Sequence, residues 1–201
     1  MSHPVADVIG IPVVATPAPA SARSQARAAP TVWDHCARLL LLALVVLSCL
    51  TFLDYGVTTD EEVQHIYGKR LLSFYLSGFE DMSAFTFKDL FRYGGLFDLL
   101  VAMLIPVSPF EEYETRHLLS ALIGVLGVAG TWRVGRLVAG PRAGFIAAAL
   151  LALSGAYYGG MFNNTKDVPF AAGMATSLYY AIRIAGRLPW PPLGLVLRFG
   201  L

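Results

Sequence analysis

Charged side chains are scarce in this chain. They make up 14% of its 201 residues, against about a quarter in an ordinary soluble domain, which argues against a soluble globular enzyme. Charge of one sign is missing as well. Fifteen Lys and Arg against 14 Asp and Glu leave a formal net charge of +1, so no basic field suits nucleic acid. Cysteine is limited to Cys36 and Cys49. On one helix these would stand about 20 Å apart, and a disulfide needs Cα atoms within about 7 Å. Absent too are the phosphate-cradling G-x-x-x-x-G-K-[ST], the zinc-binding H-E-x-x-H and the nucleophile elbow G-x-S-x-G. What remains is 56% hydrophobic with a mean hydropathy of +0.59, the composition of an all-α integral membrane protein.

Residues 1–30 are rich in Ala, Pro and Ser without an apolar period, which predicts a disordered tail, taken as residues 1–37. The membrane domain is expected over residues 38–201. Its uncharged stretches are Leu39–Leu53, Leu118–Trp132, Ala143–Thr165 and Val168–Ile182. With flanking arginines snorkelling at their ends, they predict four spans, near 38–55, 116–136, 143–162 and 168–186. Leu99–Phe110 contains Pro106 and Pro109 and falls short of the roughly 20 residues a span needs, so it is expected to be interfacial or re-entrant. The positive-inside rule agrees. Arg23, Arg27 and Arg38 lie inside, residues 54–115 outside, Arg133, Arg136 and Arg142 inside, Asn163–Asp167 outside, and Arg183 and Arg187 inside. After the turn Pro189–Pro192, the apolar run of residues 193–201 is cut short, which suggests the front part of a longer membrane protein.

Chemistry-bearing residues cluster in the two outside segments. Thr59 and Glu62 match a capping box, with Val63, Ile66, Tyr67, Phe74 and Tyr75 following at helical spacing. An amphipathic helix on the membrane surface, opening on Asp60, Glu61 and Glu62, is therefore predicted. Acids in a first turn compensate the helix dipole in any protein, so three carboxylates are not by themselves a site. Glu61 and Glu62 stand near His65 on one helix face, but no third ligand is adjacent in sequence. Gln64 reads as a polar residue of the helix surface. The second segment, Phe162-Asn163-Asn164-Thr165-Lys166-Asp167-Val168-Pro169, fits a helix start. It also places Lys166 and Asp167 on the same side as Asp60. Its sequon is a poor glycosylation acceptor so close to a bilayer. Gly124, Gly127 and Gly130, and the pair Gly155 and Gly159, read as helix-packing faces.

The order of these features resembles the GT-C glycosyltransferases, in particular the dolichyl-phosphate-mannose protein mannosyltransferase-like and lipid A aminoarabinose transferase-like branches. The resemblance rests on Thr59-Asp60-Glu61-Glu62 with Gln64 and Tyr67, on Tyr93-Gly94-Gly95-Leu96-Phe97, on Tyr113-Glu114-Thr115-Arg116, and on Met161 through Phe170. It departs at Thr165, where a bacterial subgroup usually carries Pro. The resemblance implies the N-terminal part of a GT-C fold, and inverting transfer of a sugar from a polyprenyl-phosphate donor to a hydroxyl of a protein, lipid or glycan. It assigns Asp60, Glu61 and Asp167 to catalysis, and Lys166, Arg116, Asn163 and Tyr67 to substrate binding. No cofactor is implied, and a divalent metal stays open. The expected partners are the donor and membrane lipids, in a bacterial inner membrane with the N-terminus cytoplasmic and the site loops periplasmic. Family members are longer and have more spans, so the chain's own activity is an open expectation. The alternatives are a non-catalytic membrane binding or assembly protein and, behind it, a transporter fragment.

Overall fold

The computed structural model describes residues 29–200, and every regular element among them is helical. Helix α1 (Val32–Thr51) opens on a capping box in which the Thr31 side chain accepts from the Asp34 amide and Asp34 accepts from the Thr31 amide. That reciprocal cap starts the helix six residues before the expected boundary at residue 38. The expectation for residues 1–28 lies outside the described residues. After a short 3-10 turn at Phe52–Asp54 come α2 (Thr59–Leu76), α3 (Leu96–Leu104), α4 (Glu112–Leu153), α5 (Gly155–Asn163), α6 (Asp167–Ala185) and α7 (Leu193–Gly200).

Helix α4 is two arms. Gly140 holds φ 89° and ψ 176° ahead of Pro141, a conformation that leaves the helical region, and the chain turns back there. A Cβ on Gly144 would stand 2.7 Å from both the Arg136 amide nitrogen and the Trp132 carbonyl. In a continuous helix, residues 132 and 144 would be about 18 Å apart, so the contact requires an antiparallel hairpin. Leu44 of α1, Val125 and Val128 of the first arm and Ala148 and Ala152 of the second form one apolar core. Phe52, Ala121, Met161, Phe162 and Val168 form the next layer towards the α5–α6 turn. Small residues allow the close approaches expected of Gly124, Gly127 and Gly130, which meet Met161, Ala172 and Ala175 respectively. Gly155 and Gly159 differ from expectation: both face open space, so neither packs on a helix among the described residues.

The predicted membrane character has a structural counterpart. Val32–Asp54 and Glu112–Leu153 are both long and apolar enough to cross a membrane. Large apolar side chains point outward along the bundle, among them Leu39, Leu42 and Leu50 of α1, Leu126 and Leu150 of α4, and Met174 and Leu178 of α6. Monomeric soluble proteins rarely expose apolar surface on that scale.

Helices α2 and α3 pack on each other beside the groove-side end of α4. A Cβ on Gly68 would lie 2.5 Å from the Asp98 carbonyl oxygen, so only glycine admits this backbone approach, whereas one on Gly95 would require the Leu71 side chain to turn aside. The apolar stripe expected on α2 is its packed face only in part: Tyr67 is buried and Val63 packs beside it. Ile66 and Tyr75 are exposed, whereas Glu61, Gln64, His65, Tyr67, Gly68 and Leu71 are buried. Polar interior contacts, described next, orient this helix together with that part of the hydrophobic period.

Candidate functional site

The start of α2 positions the first acid. The helix begins at Thr59 and is capped by Thr58 and Glu61: Glu61 Oε2 accepts from the Thr58 amide at 2.8 Å and from its hydroxyl at 3.1 Å. This is one residue earlier than the Thr59 and Glu62 box expected, and Glu62 is exposed. Glu61 is fully buried, with Oε1 2.9 Å from His117 Nε2, within ion-pair range but outside hydrogen-bond geometry. With Glu61 turned inward, Asp60 faces solvent, its side chain 75% exposed.

The turn between α5 and α6 supplies the facing wall. Asn164 Oδ1 accepts from the Asp167 amide at 3.1 Å, and Asn164 Nδ2 donates to Asp167 Oδ2 at 3.0 Å. This double tie fixes the turn that presents Lys166. Lys166 Nζ donates to Asp60 Oδ2 at 3.2 Å and lies 5.4 Å from the centre of the Tyr93 ring. Between the walls is an open cavity of about 690 Å³, lined among others by Asp60, Gln64, Arg92, Tyr93, Asn163, Lys166, Asp167 and Phe170.

Its floor rests on Arg116 of α4, whose side chain is wholly buried. Arg116 Nη2 donates to Gln64 Oε1 at 2.9 Å, Asp98 Oδ1 at 2.5 Å and Thr165 Oγ1 at 2.7 Å. Thr165 Oγ1 donates in turn to Gln64 Oε1. The guanidinium lies 5.1 Å from the Phe97 ring centre, and its Nε and Nη1 have no partner. Burial pushes the Asp98 carboxyl above its ordinary range, against the opposing pull of Arg116. Beside this network, the His65 ring pairs with Glu112 at 2.8 Å, and both Glu112 oxygens accept from Lys69 at 2.8 Å. Burial holds the His65 imidazole below its usual pKa, against the pull of Glu112.

The family model for dolichyl-phosphate-mannose-protein mannosyltransferase matches residues 98–201. The chain belongs to this family. The mannosyltransferase match takes in α4 to α7, and with them Arg116, Asn163, Lys166 and Asp167; Asp60, Glu61 and Tyr67 precede it. No curated protein and no solved structure matches the chain. Membership makes it a glycosyltransferase-type chain of the GT-C kind, from a membrane-integral family whose donors are in general polyprenyl-phosphate-linked sugars.

Four of the seven residues singled out from the resemblance, Asp60, Asn163, Lys166 and Asp167, line the same cavity. Arg116 lies beneath it and reaches it through Gln64 and Thr165. Glu61 and Tyr67 are not at the cavity. Glu61 is the buried partner of the α2 cap, and Tyr67 packs with Leu71, Ala84 and Leu90. Sequence reasoning missed two members of the network. Gln64 is buried rather than on the helix surface, and Asp98, not singled out as a candidate, is the carboxylate that faces Arg116. Among the described residues no group of three or more His, Cys, Asp or Glu is placed to hold a metal ion, and His65 of the weighed Glu–His pair turns to Glu112 instead.

Proposed function

We propose that this chain carries the donor-phosphate and acceptor-activating face of a polyprenyl-phosphate-sugar glycosyltransferase. The observation that carries the reading is the convergence of Asp60 and Lys166, 106 residues apart in sequence, across one groove. The reaction calls for one carboxylate and one cation, and this pair supplies them. The acceptor hydroxyl oxygen attacks the anomeric carbon, and its proton passes to the Asp60 carboxylate. The bond from that carbon to the phosphate oxygen breaks as the new one forms, which inverts the centre. The phosphate leaves with its electron pair, and Lys166 stabilises the growing charge. Asp167 and Asn163 orient the acceptor along the wall. Arg116 fixes the floor and adds positive potential from below, and Glu61 is a positioning residue that turns Asp60 outward.

The membrane arrangement that goes with this reading has four spans: α1, the first arm of α4, its second arm continued by α5, and α6. The reversal at Gly140 supports it. So does the gathering of Arg133, Arg136, Arg142, Arg183 and Arg187 towards the end away from the groove, which the positive-inside rule makes cytoplasmic. The groove then opens on the periplasmic face of a bacterial inner membrane, where lipid-linked sugars present their headgroups.

The test is native mass spectrometry of the full chain with a polyprenyl-phosphate sugar, beside an assay of sugar transfer to a hydroxyl acceptor. Lys166→Ala is expected to lose the lipid-phosphate adduct. Asp60→Asn is expected to keep the adduct and abolish transfer. Retention of the adduct by Lys166→Ala, or transfer by Asp60→Asn at the wild-type rate, overturns the assignment.

A further inference from the structure

We propose that the end of the bundle remote from the groove holds a phospholipid headgroup site, a clamp of Arg133 and Arg183 around Tyr179. The proposal rests on the membrane reading of the fold and is independent of sugar transfer.

Arg183 Nη1 donates to the Tyr179 hydroxyl at 3.0 Å, and its guanidinium lies 5.4 Å from the centre of that ring. Arg133, from the first arm of α4, brings a second guanidinium within 6.0 Å of the same ring. Both distances are within cation–π reach of about 6 Å. Two like charges from different helices therefore converge on one aromatic side chain. Neither has a carboxylate within ion-pair distance among the described residues. Asp34, the carboxylate in the first turn of α1, is committed to Arg136, whose Nε and Nη2 donate to it at 2.5 and 3.2 Å.

Paired guanidinium groups without a counter-ion suit a phosphate, whose oxygens accept from each fork two at a time. The depth of the clamp selects the source of that phosphate. Arg133 lies about 26 Å along α4 from Arg116, at 1.5 Å per residue, close to the roughly 30 Å thickness of a bilayer's hydrocarbon core. The groove and the clamp thus fall at opposite headgroup layers. On the same face of α4, two turns inward from Arg133, Leu126 is exposed. A phosphodiester at the clamp would lay an acyl chain past it. An isolated arginine snorkelling to an interface has no shared aromatic partner, and a soluble anion has no use for an apolar face beside the clamp.

The experiment is native mass spectrometry of the full chain after exchange into equal amounts of phosphatidylglycerol and phosphatidylcholine. Wild type is expected to retain phosphatidylglycerol preferentially. Arg133→Ala with Arg183→Ala is expected to weaken that retention by roughly tenfold or more, since each basic residue near a surface contributes appreciably to anionic-lipid binding. Lys88→Ala, at an exposed basic residue that neither site uses, keeps it, and the readout needs no polyprenyl-phosphate sugar, so failure here is separate from failure of the donor assignment. If the double variant does not fold, Arg133→Lys substitutes, because it keeps the charge and removes the planar fork; it too must weaken retention. Equal retention of the two lipids, or no change in the variants, overturns the proposal. Displacement of the lipid by millimolar inorganic phosphate also overturns it, because the clamp would then read the free anion alone.

Discussion

Lys166 Nζ stands 3.2 Å from Asp60 Oδ2, joining the turn before α6 to the first turn of α2 across the groove. The pair is wet: the lysine side chain is 32% exposed and the aspartate 75%. Exposed ion pairs contribute roughly 0–1 kcal/mol to stability, so this contact holds little of the fold together. A donor phosphate can draw Lys166 away at small cost, leaving the Asp60 carboxylate free to accept a proton.

Asp60→Asn and Lys166→Ala are therefore expected to lower thermal stability by no more than about 1 kcal/mol each. If Asp60 is the base, its replacement lowers transfer by about 10²–10⁴-fold. Thermal unfolding in detergent measured beside a transfer assay checks both halves. A large stability loss in either variant would show that the pair is structural.

Arg116 should behave in the opposite way. Arg116→Met leaves the buried Asp98 carboxylate without its cation and frees Gln64 and Thr165, and breaking one side of a buried pair costs about 3–5 kcal/mol. Adding Asp98→Leu is expected to recover part of that loss, because two apolar residues replace a pair that was costly to bury. Denaturant titration of the single and double variants reads the difference. A mild Arg116→Met would mean that the network is solvated in solution.

The two sets of glycines separate by what a methyl group would meet. A Cβ on Gly127 would lie 2.3 Å from the Tyr157 hydroxyl, which donates to the Gly124 carbonyl at 2.8 Å. Gly127→Ala is expected to cost about 1–3 kcal/mol through overpacking. Gly155→Ala and Gly159→Ala meet open space and are expected to be neutral or to stabilise by up to about 1 kcal/mol. Melting temperatures of the three variants check the contrast, and a Gly127→Ala as stable as wild type would contradict the packing.

The His65 network sets an acid limit. Burial holds the folded-state pKa of His65 below the ordinary 6.5, so between those two values the unfolded chain binds a proton that the folded chain does not. The stability involved is fully present above pH 6.5 and falls as the pH drops through that window. His65→Gln is expected to flatten the melting temperature against pH below 6.5. An unchanged slope would place the titration elsewhere.

Much of this was legible in the sequence. Uncharged runs marked the long helices, although Ala143–Thr165, expected as one span over 143–162, is divided at the extended Ser154; the arginine turn marked the reversal near Gly140, and the two polar segments held the residues that line the groove. The start of α2 was ambiguous because Thr58-x-x-Glu61 and Thr59-x-x-Glu62 both fit a capping box. Contact with His117, 55 or more residues downstream of the acids, decides between them, and no local pattern encodes that. Gln64 and Asp98 were missed for a related reason. A polar residue on an amphipathic helix reads as exposed unless its buried partner is known, and the partner here, Arg116, is brought in by tertiary packing. Spacing alone gave Gly155 and Gly159 the same standing as Gly124 and Gly127; only neighbouring helices distinguish a filled face from an empty one.

The threefold donation from Arg116 also has a consequence for assembly in time. Two of its acceptors, Gln64 and Asp98, precede it in the chain, and the third, Thr165, follows. While the chain is being made, the outer segment waits with an uncompensated carboxylate until α4 arrives, and the groove gains its second wall only after the hairpin at Gly140 has returned the chain to the same side. On the proposed reading, the groove that meets substrate is thus complete only once the chain has returned from the hairpin.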